Sequence, residues 1–222
     1  MKAPGRLGLL GGTFDPVHYG HLDAADAARH ALRLDEVRLI PSCDPPHRPI
    51  DPVASAFHRF AMVALAVQGH AALRSSEMEL TRQGQSYTAD TLRSLAAEGW
   101  QAGQLFFILG TDAFAEIATW REYPSVLDAA HFVVIARPGS TLDQAAVATP
   151  GLRARMRRPD QETPQTSETS IFLVEAHTRD VSSTVIRARL SAHQPIDDLV
   201  PAPVARHIVS HHLYGAVSEL HG

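Results

Sequence analysis

The chain has 222 residues, 45% of them hydrophobic and 20% charged, with a formal net charge of −4. At roughly 150 residues per domain, this length suits one large domain that buries a core without disulfides or a structural metal. Collagen-like, coiled-coil and wholly disordered chains are excluded, and the acidic balance offers no basic footprint for a nucleic-acid polymer.

Cys43 is the single cysteine, so no internal disulfide forms. The apolar runs are strand-sized, and the N-terminus lacks the long apolar stretch of a secretory signal. A cytoplasmic protein without membrane attachment is expected. Lys2 is the only lysine. That excludes P-loop NTPases and lysine-bound pyridoxal enzymes, both of which need one in the interior.

In chain order, strands are expected at Leu7–Leu10, Glu36–Ile40, Leu73–Ser76, Leu105–Leu109, His131–Ala136 and Ile171–Val174. These are short, continuous apolar or β-branched runs, the pattern of strands covered on both faces. Helices are expected at Tyr19–Leu32, Ala56–Gln68, Ala89–Glu98, Ala113–Thr119, Leu142–Ala148, Thr184–Ala192 and Pro203–His212. In the first of these, Leu22, Ala25, Ala28 and Leu32 form one apolar stripe. Strands alternating with helices imply βαβ crossovers and a doubly wound, mostly parallel sheet of five or six strands, with helices on both faces. Two stretches interrupt the alternation. The proline-rich run 41–52 reads as a loop at the carboxyl edge of the sheet. Residues 149–170, with Arg153, Arg155, Arg157 and Arg158, read as a mobile surface insertion.

The densest constellation is Gly11-Gly12-Thr13-Phe14-Asp15-Pro16-Val17-His18-Tyr19-Gly20-His21, between the first strand and the first helix. Ligands of open α/β sheets bind at the carboxyl ends of strands. Gly11 and Gly12 let backbone approach a ligand, and the helix start offers unpaired N–H groups to an anion. His18 and His21, three apart, can face one spot and offset charge developing on a phosphate. Partly solvated histidines, or a metal site of Asp15, His18 and His21, are the competing readings.

A second anion site is legible in Val181-Ser182-Ser183-Thr184-Val185-Ile186-Arg187. Ser182 or Ser183 can cap the helix that follows, and Arg187 shares a face with Ser183 and can reach back to an anion held at the helix start. A plain cap with a solvent-facing arginine is the alternative. Asp112, in a Gly-Thr-Asp turn after a strand, can be a helix cap, and Trp120 can be a core residue.

Together these segments resemble the HxGH nucleotidyltransferase superfamily and, through GGTFDPVHYGH, SYTADTL (86–92) and SSTVIR (182–187), the bacterial nicotinate-nucleotide adenylyltransferases within it. Supporting segments follow in family order: PSCDPPHR, Arg59 and Met62 on a helix, Leu109-Gly110-Thr111-Asp112, Trp120, and Ala136-Arg137-Pro138-Gly139. Arg48 stands where the family often has lysine. The resemblance covers about residues 7 to 190. It implies one Rossmann-like domain over residues 1–222, with an insertion near 149–170 and a C-terminal helical segment. It also implies transfer of AMP from ATP to nicotinate mononucleotide.

By the resemblance, His18, His21, Thr13 and Arg187 are catalytic. Gly11, Gly12, Thr13, Phe14, His18, His21, Ser183, Thr184 and Arg187 bind ATP. Asp15, His47, Arg48, Thr88, Asp112, Trp120 and Arg121 bind the mononucleotide. Trp120 lies against the pyridine, and the Thr88 and Arg121 backbone N–H groups lie near its carboxylate. Mg²⁺ would arrive with the ATP phosphates, with no protein metal site. The partners would be small-molecule substrates, and oligomeric state is not legible. The rivals are an HxGH transferase acting on phosphopantetheine or using CTP, and a regulatory nucleotide-binding protein that has lost turnover.

Overall fold

The computed structural model describes residues 5–44, 52–82, 84–136, 149–159 and 168–216. The strands are β1 (Leu7–Gly12), β2 (Glu36–Pro41), β3 (Leu73–Ser75), β4 (Leu105–Gly110), β5 (His131–Ala136), β6 (Met156–Arg157) and β7 (Ile171–Glu175). The helices are α1 (Tyr19–Leu32), α2 (Ala56–Ala66), α3 (Thr88–Ala97), α4 (Thr111–Ala115), α5 (Ser183–Ser191) and α6 (Ala202–Ser210). Among the described residues the strands form one sheet in the order β3-β2-β1-β4-β5-β7-β6, and every pair is parallel.

Alternate residues of each central strand face opposite layers, as the strand period of two requires. From β4, Phe106 and Ile108 pack with α1, α2, α5 and α6, together with Val133, Ile135, Phe172 and Val174 of neighbouring strands. Leu105, Phe107 and Leu109 face the opposite layer, with Leu92 and Leu95 of α3, Phe114 of α4, and Phe132 and Val134. The stripe expected on α1 is the buried one: Leu22, Ala25, Ala28 and Leu32. Gly8 of β1 packs under the turn from α1 to β2, and a Cβ there would come within 2.8 Å of the Val37 side chain and 2.9 Å of the Leu34 side chain.

The structure departs from the sequence reading in two places. Among the described residues the sheet has seven strands where five or six were expected: a 3₁₀ turn at Pro150–Arg155 leads into the short strand β6, which pairs with β7. Arg155 anchors this edge, reaching Asp128 at 2.8 Å, the Leu127 carbonyl at 2.8 Å and the Thr169 hydroxyl at 2.6 Å. The helix expected at Ala113–Thr119 begins two residues earlier and gives way to a 3₁₀ turn at Ile117–Thr119. The helix expected at Leu142–Ala148 lies outside the described residues.

β1 pairs with β2 on one side and β4 on the other, so the strand order reverses there. The carboxyl ends of β1 and β4 therefore flank a crevice of the kind that binds ligands in open α/β sheets.

Candidate active site

The loop leaving β1 is held from three directions. Gly11 and Gly12 end the strand, and a Cβ on Gly11 would come within 3.2 Å of the Phe107 ring. Phe14 takes a left-handed φ of +50°, costly for an L-residue by roughly 1–2 kcal/mol. Burial of its ring, at 2% exposure, and an edge-on contact with His21 offset that strain. Asp15 is 3% exposed and accepts from the Val53 and Ala54 amides at 2.9 and 3.0 Å and from the Tyr214 hydroxyl at 2.7 Å. Its carboxylate is thus turned into the protein, where it fastens the loop. Three of the roughly four lone pairs of the carboxylate are engaged by these donors. Burial first, and the Asp15 hydrogen bond second, push the Tyr214 hydroxyl pKa far above its usual range.

Arg59 on α2, 1% exposed, completes the clamp. It donates to the carbonyls of Ala54 (3.1 Å), Thr13 (2.7 Å), Ser42 (2.6 Å) and Cys43 (3.1 Å). One planar guanidinium thereby ties the β1 loop to the loop after β2, which its five-donor fork allows and a lysine's point charge would not. Thr13 is buried beside it.

The two motif histidines converge. His18 is the N-cap of α1, and its backbone N–H donates to His21 Nδ1 at 3.3 Å. In a neutral ring that leaves the His21 proton on Nε2, as a donor. The rings stack with centroids 3.7 Å apart. Gly20 is required by this packing: a Cβ there would lie 3.1 Å from His18 Nδ1 and 3.2 Å from the Arg179 carbonyl. Arg179 in turn lies over the Tyr19 ring at 3.8 Å and pairs with Asp23 at 3.2 Å, holding the first turn of α1.

The second motif docks on the first. Ser182 is the N-cap of α5, accepting from the Val185 amide at 3.2 Å. Ser183 instead donates to the Pro16 carbonyl at 2.9 Å. Arg187 donates to the Asp15 carbonyl at 2.6 Å and to the Thr184 hydroxyl at 3.3 Å. Two helix N-termini, of α1 and α5, therefore meet across residues 15–18. In α1 the Tyr19 amide donates to the Leu199 carbonyl and the His21 amide to the His18 carbonyl, each at 3.0 Å, while in α5 the Val185 amide is taken by its cap, Ser182.

The remaining predicted residues lie around the ends of α3, β4 and α4. Thr88 opens α3, with its amide among those the helix leaves without an internal acceptor. Asp112 is exposed in the first turn of α4. Trp120 packs edge-on against Phe107 at 5.8 Å and Phe132 at 6.4 Å, linking it through Phe107 to Gly11. Arg121 pairs with Asp90 at 3.2 Å and lies over Tyr87 at 4.7 Å, while Arg93 bridges Asp90 and Glu122, each at 2.6 Å. This fixes the segment carrying Arg121 to the start of α3, where Thr88 sits. His47 and Arg48 lie outside the described residues.

Two supporting groups escaped the sequence reading, and a third, Arg59, was visible only through the resemblance. Tyr214 is 199 positions from Asp15, and no local pattern signals such a contact. Glu79 accepts from the Thr91 hydroxyl at 2.5 Å and lies 3.8 Å from Arg82; burial raises its carboxyl pKa despite those partners and Ser86. Ser86 also joins SYTADTL to the loop after β2, accepting from the Cys43 amide at 2.9 Å and donating its own amide to the Asp44 carbonyl at 2.8 Å.

The chain matches the cytidylyltransferase-like family over residues 9–189. It is 39% identical to a protein of Moorella thermoacetica over 214 residues, covering 96% of this chain and 94% of that one. It is 42% identical to a protein of Bordetella parapertussis over 210 residues, covering 94% and 98%. Both relatives are named as probable nicotinate-nucleotide adenylyltransferases. In fold it is similar to the nicotinic acid mononucleotide adenylyltransferase of Plasmodium falciparum complexed with NaAD, with a TM-score of 0.72 at 16% identity, covering 96% of this chain and 98% of that one. With the strand-order reversal at β1 and the histidine pair fixed beside it, these likenesses identify the chain as a member of the nicotinate-nucleotide adenylyltransferase family.

Proposed function

We propose that the chain transfers the AMP group of ATP to nicotinate mononucleotide, giving nicotinate adenine dinucleotide and pyrophosphate. A phosphate oxygen of the mononucleotide attacks the α-phosphorus of ATP. The bond from that phosphorus to the bridging oxygen breaks, and pyrophosphate leaves with the electron pair. The nucleophile is a phosphate monoester with second pKa near about 6, largely dianionic at neutral pH, so no general base is required. The work left to the protein is to align two anions and to stabilise developing charge.

The observation that carries this reading is the meeting of two helix N-termini at the β1 loop, fastened by Ser183 to Pro16 at 2.9 Å and by Arg187 to Asp15 at 2.6 Å. A triphosphate suits such a double site. Thr13, His18, His21 and Arg187 act on the phosphates, with Gly11, Gly12, Phe14, Ser183 and Thr184 around the nucleotide. Asp15 acts through the loop it fastens. Thr88, Asp112, Trp120 and Arg121 receive the mononucleotide, joined by His47 and Arg48. Mg²⁺ fits as an ion carried on the ATP phosphates with its waters, since Mg²⁺ binds through substrate phosphates and retained water more readily than in an all-protein cage. When bound it offsets negative charge on the leaving group. Among the described residues no helix is long and apolar enough to cross a membrane, and we assign the enzyme to the cytoplasm with small molecules as its substrates.

The test is pyrophosphate release from ATP with nicotinate mononucleotide, its amide, and phosphopantetheine as acceptors. Backbone N–H groups at Thr88 and Arg121 would satisfy both carboxylate oxygens, whereas a carboxamide turns an NH₂ toward one donor. We expect kcat/KM to favour the acid by on the order of 10²-fold. Equal values for acid and amide would make the enzyme a dual-specificity adenylyltransferase. Turnover with phosphopantetheine alone would overturn the assignment.

A further inference from the structure

On the α2–α6 side of the molecule, outside the site above, three imidazoles come together. His58 lies in the first turn of α2, His207 in the last turn of α6, and His211 one turn beyond as its C-cap. His58 Nδ1 and His207 Nε2 are 3.1 Å apart, and one nitrogen from each of the three rings lies within 4.8 Å of the others. The ring centroids are 5.3 Å (His58–His207), 4.9 Å (His58–His211) and 4.4 Å (His207–His211) apart.

We propose that His58, His207 and His211 form a binding site for a borderline-soft divalent transition-metal ion, of which Zn²⁺ is the type. Two ligands on a tetrahedral zinc with metal–nitrogen bonds of about 2.0–2.1 Å lie roughly 3.4 Å apart. The His58–His207 separation is already near that edge. His207 and His211, four apart on one helix face, supply the spacing by which helices present paired imidazoles to a metal. Imidazole ligands select zinc, nickel, cobalt or copper and not the hard, oxygen-seeking Mg²⁺, so this site does not compete for the ion that accompanies ATP. His211 is exposed, which leaves the fourth position to water.

Occupancy would pin the C-terminal helix to α2. That helix leads to Tyr214, which holds Asp15, and α2 carries Arg59, which holds Thr13. The ion would therefore stiffen the support of the β1 loop without touching a substrate.

The experiment uses the full chain, stripped with a chelator and returned to buffer containing excess Mg²⁺. Zn²⁺ is then titrated by calorimetry, with Co²⁺ absorption reporting coordination geometry and thermal unfolding reporting linkage. We expect one saturable equivalent, a tetrahedral cobalt spectrum and a raised Tm. His211→Gln and the double variant H207Q/H211Q should weaken binding by at least about tenfold and abolish the Tm rise. If His58→Gln does not fold, the exposed His211→Gln still answers the question. The absence of a saturable equivalent in the wild-type chain, or equal affinity in the double variant, would overturn the proposal.

Discussion

His18 and His21 stack 3.7 Å apart, and His21 Nδ1 accepts from the His18 backbone, so each ring orients the other. Donors that act on charge developing in a transition state are worth about 10²–10³ in kcat each. His18→Ala and His21→Ala should each lose that much in the pyrophosphate-release assay while melting as cooperative, folded proteins; near-normal turnover in either variant counts against the mechanism. Gly20 makes a sharper test. Alanine there adds helix propensity of up to about 1 kcal/mol. Its methyl, however, would press on His18 at 3.1 Å and on the Arg179 carbonyl at 3.2 Å. Gly20→Ala should therefore keep or raise Tm while lowering kcat roughly tenfold, since small misplacements of catalytic groups are costly. A Tm that falls with kcat unchanged would show that the helix gives way and not the ring. At this scale the histidine motif was legible from residue types and spacing. The reason for its glycine was not, because the Arg179 carbonyl that crowds it comes from a distant part of the chain.

Among elements, the docking of α5 on the β1 loop decides most. Arg187 was expected to lean back toward its own helix start, and it does so, but it also holds the Asp15 carbonyl at 2.6 Å. One side chain thus joins the two motifs. Arg187→Ala should raise the KM for ATP and slow turnover together. Arg157→Ala should do neither, because Arg157 sits on edge strand β6 and donates to the carbonyls of Ala154 (2.7 Å) and Met156 (2.8 Å). Steady-state kinetics in ATP separates the two variants, and equal effects would mean the triphosphate lies elsewhere. The strand β6 itself was unreadable in the sequence. Two residues carry no period, and their pairing depends on Arg155 reaching Asp128 and Thr169.

At the scale of the whole molecule, two segments 199 positions apart meet. Tyr214, after α6, hydrogen-bonds Asp15, immediately beyond β1, at 2.7 Å in a buried setting. Removing the hydroxyl leaves a buried carboxylate oxygen short of a donor, which costs about 1–3 kcal/mol. Tyr214→Phe should lower the unfolding free energy by that amount in a denaturant titration, with KM for ATP rising because the loop below it loosens. An unchanged denaturation midpoint would show that the amides of Val53 and Ala54 suffice to hold Asp15.

Local windows of sequence carried the alternation of strands and helices, the buried stripe of α1, and the positions where α1 and α5 start. Each rests on local period, capping chemistry or residue type, which are properties of a short window of chain. Only the tertiary structure decided the strand order that reverses at β1, the seventh strand, the burial of Asp15 as a fastening, the clamp made by Arg59 and the gathering of His58, His207 and His211. These depend on which distant segments share a face, and hydrophobic periodicity tells a segment to bury itself without naming its neighbour. A buried polar group adds the missing constraint, since it must find a partner wherever the fold brings one, and Asp15 and Arg59 found theirs on other elements.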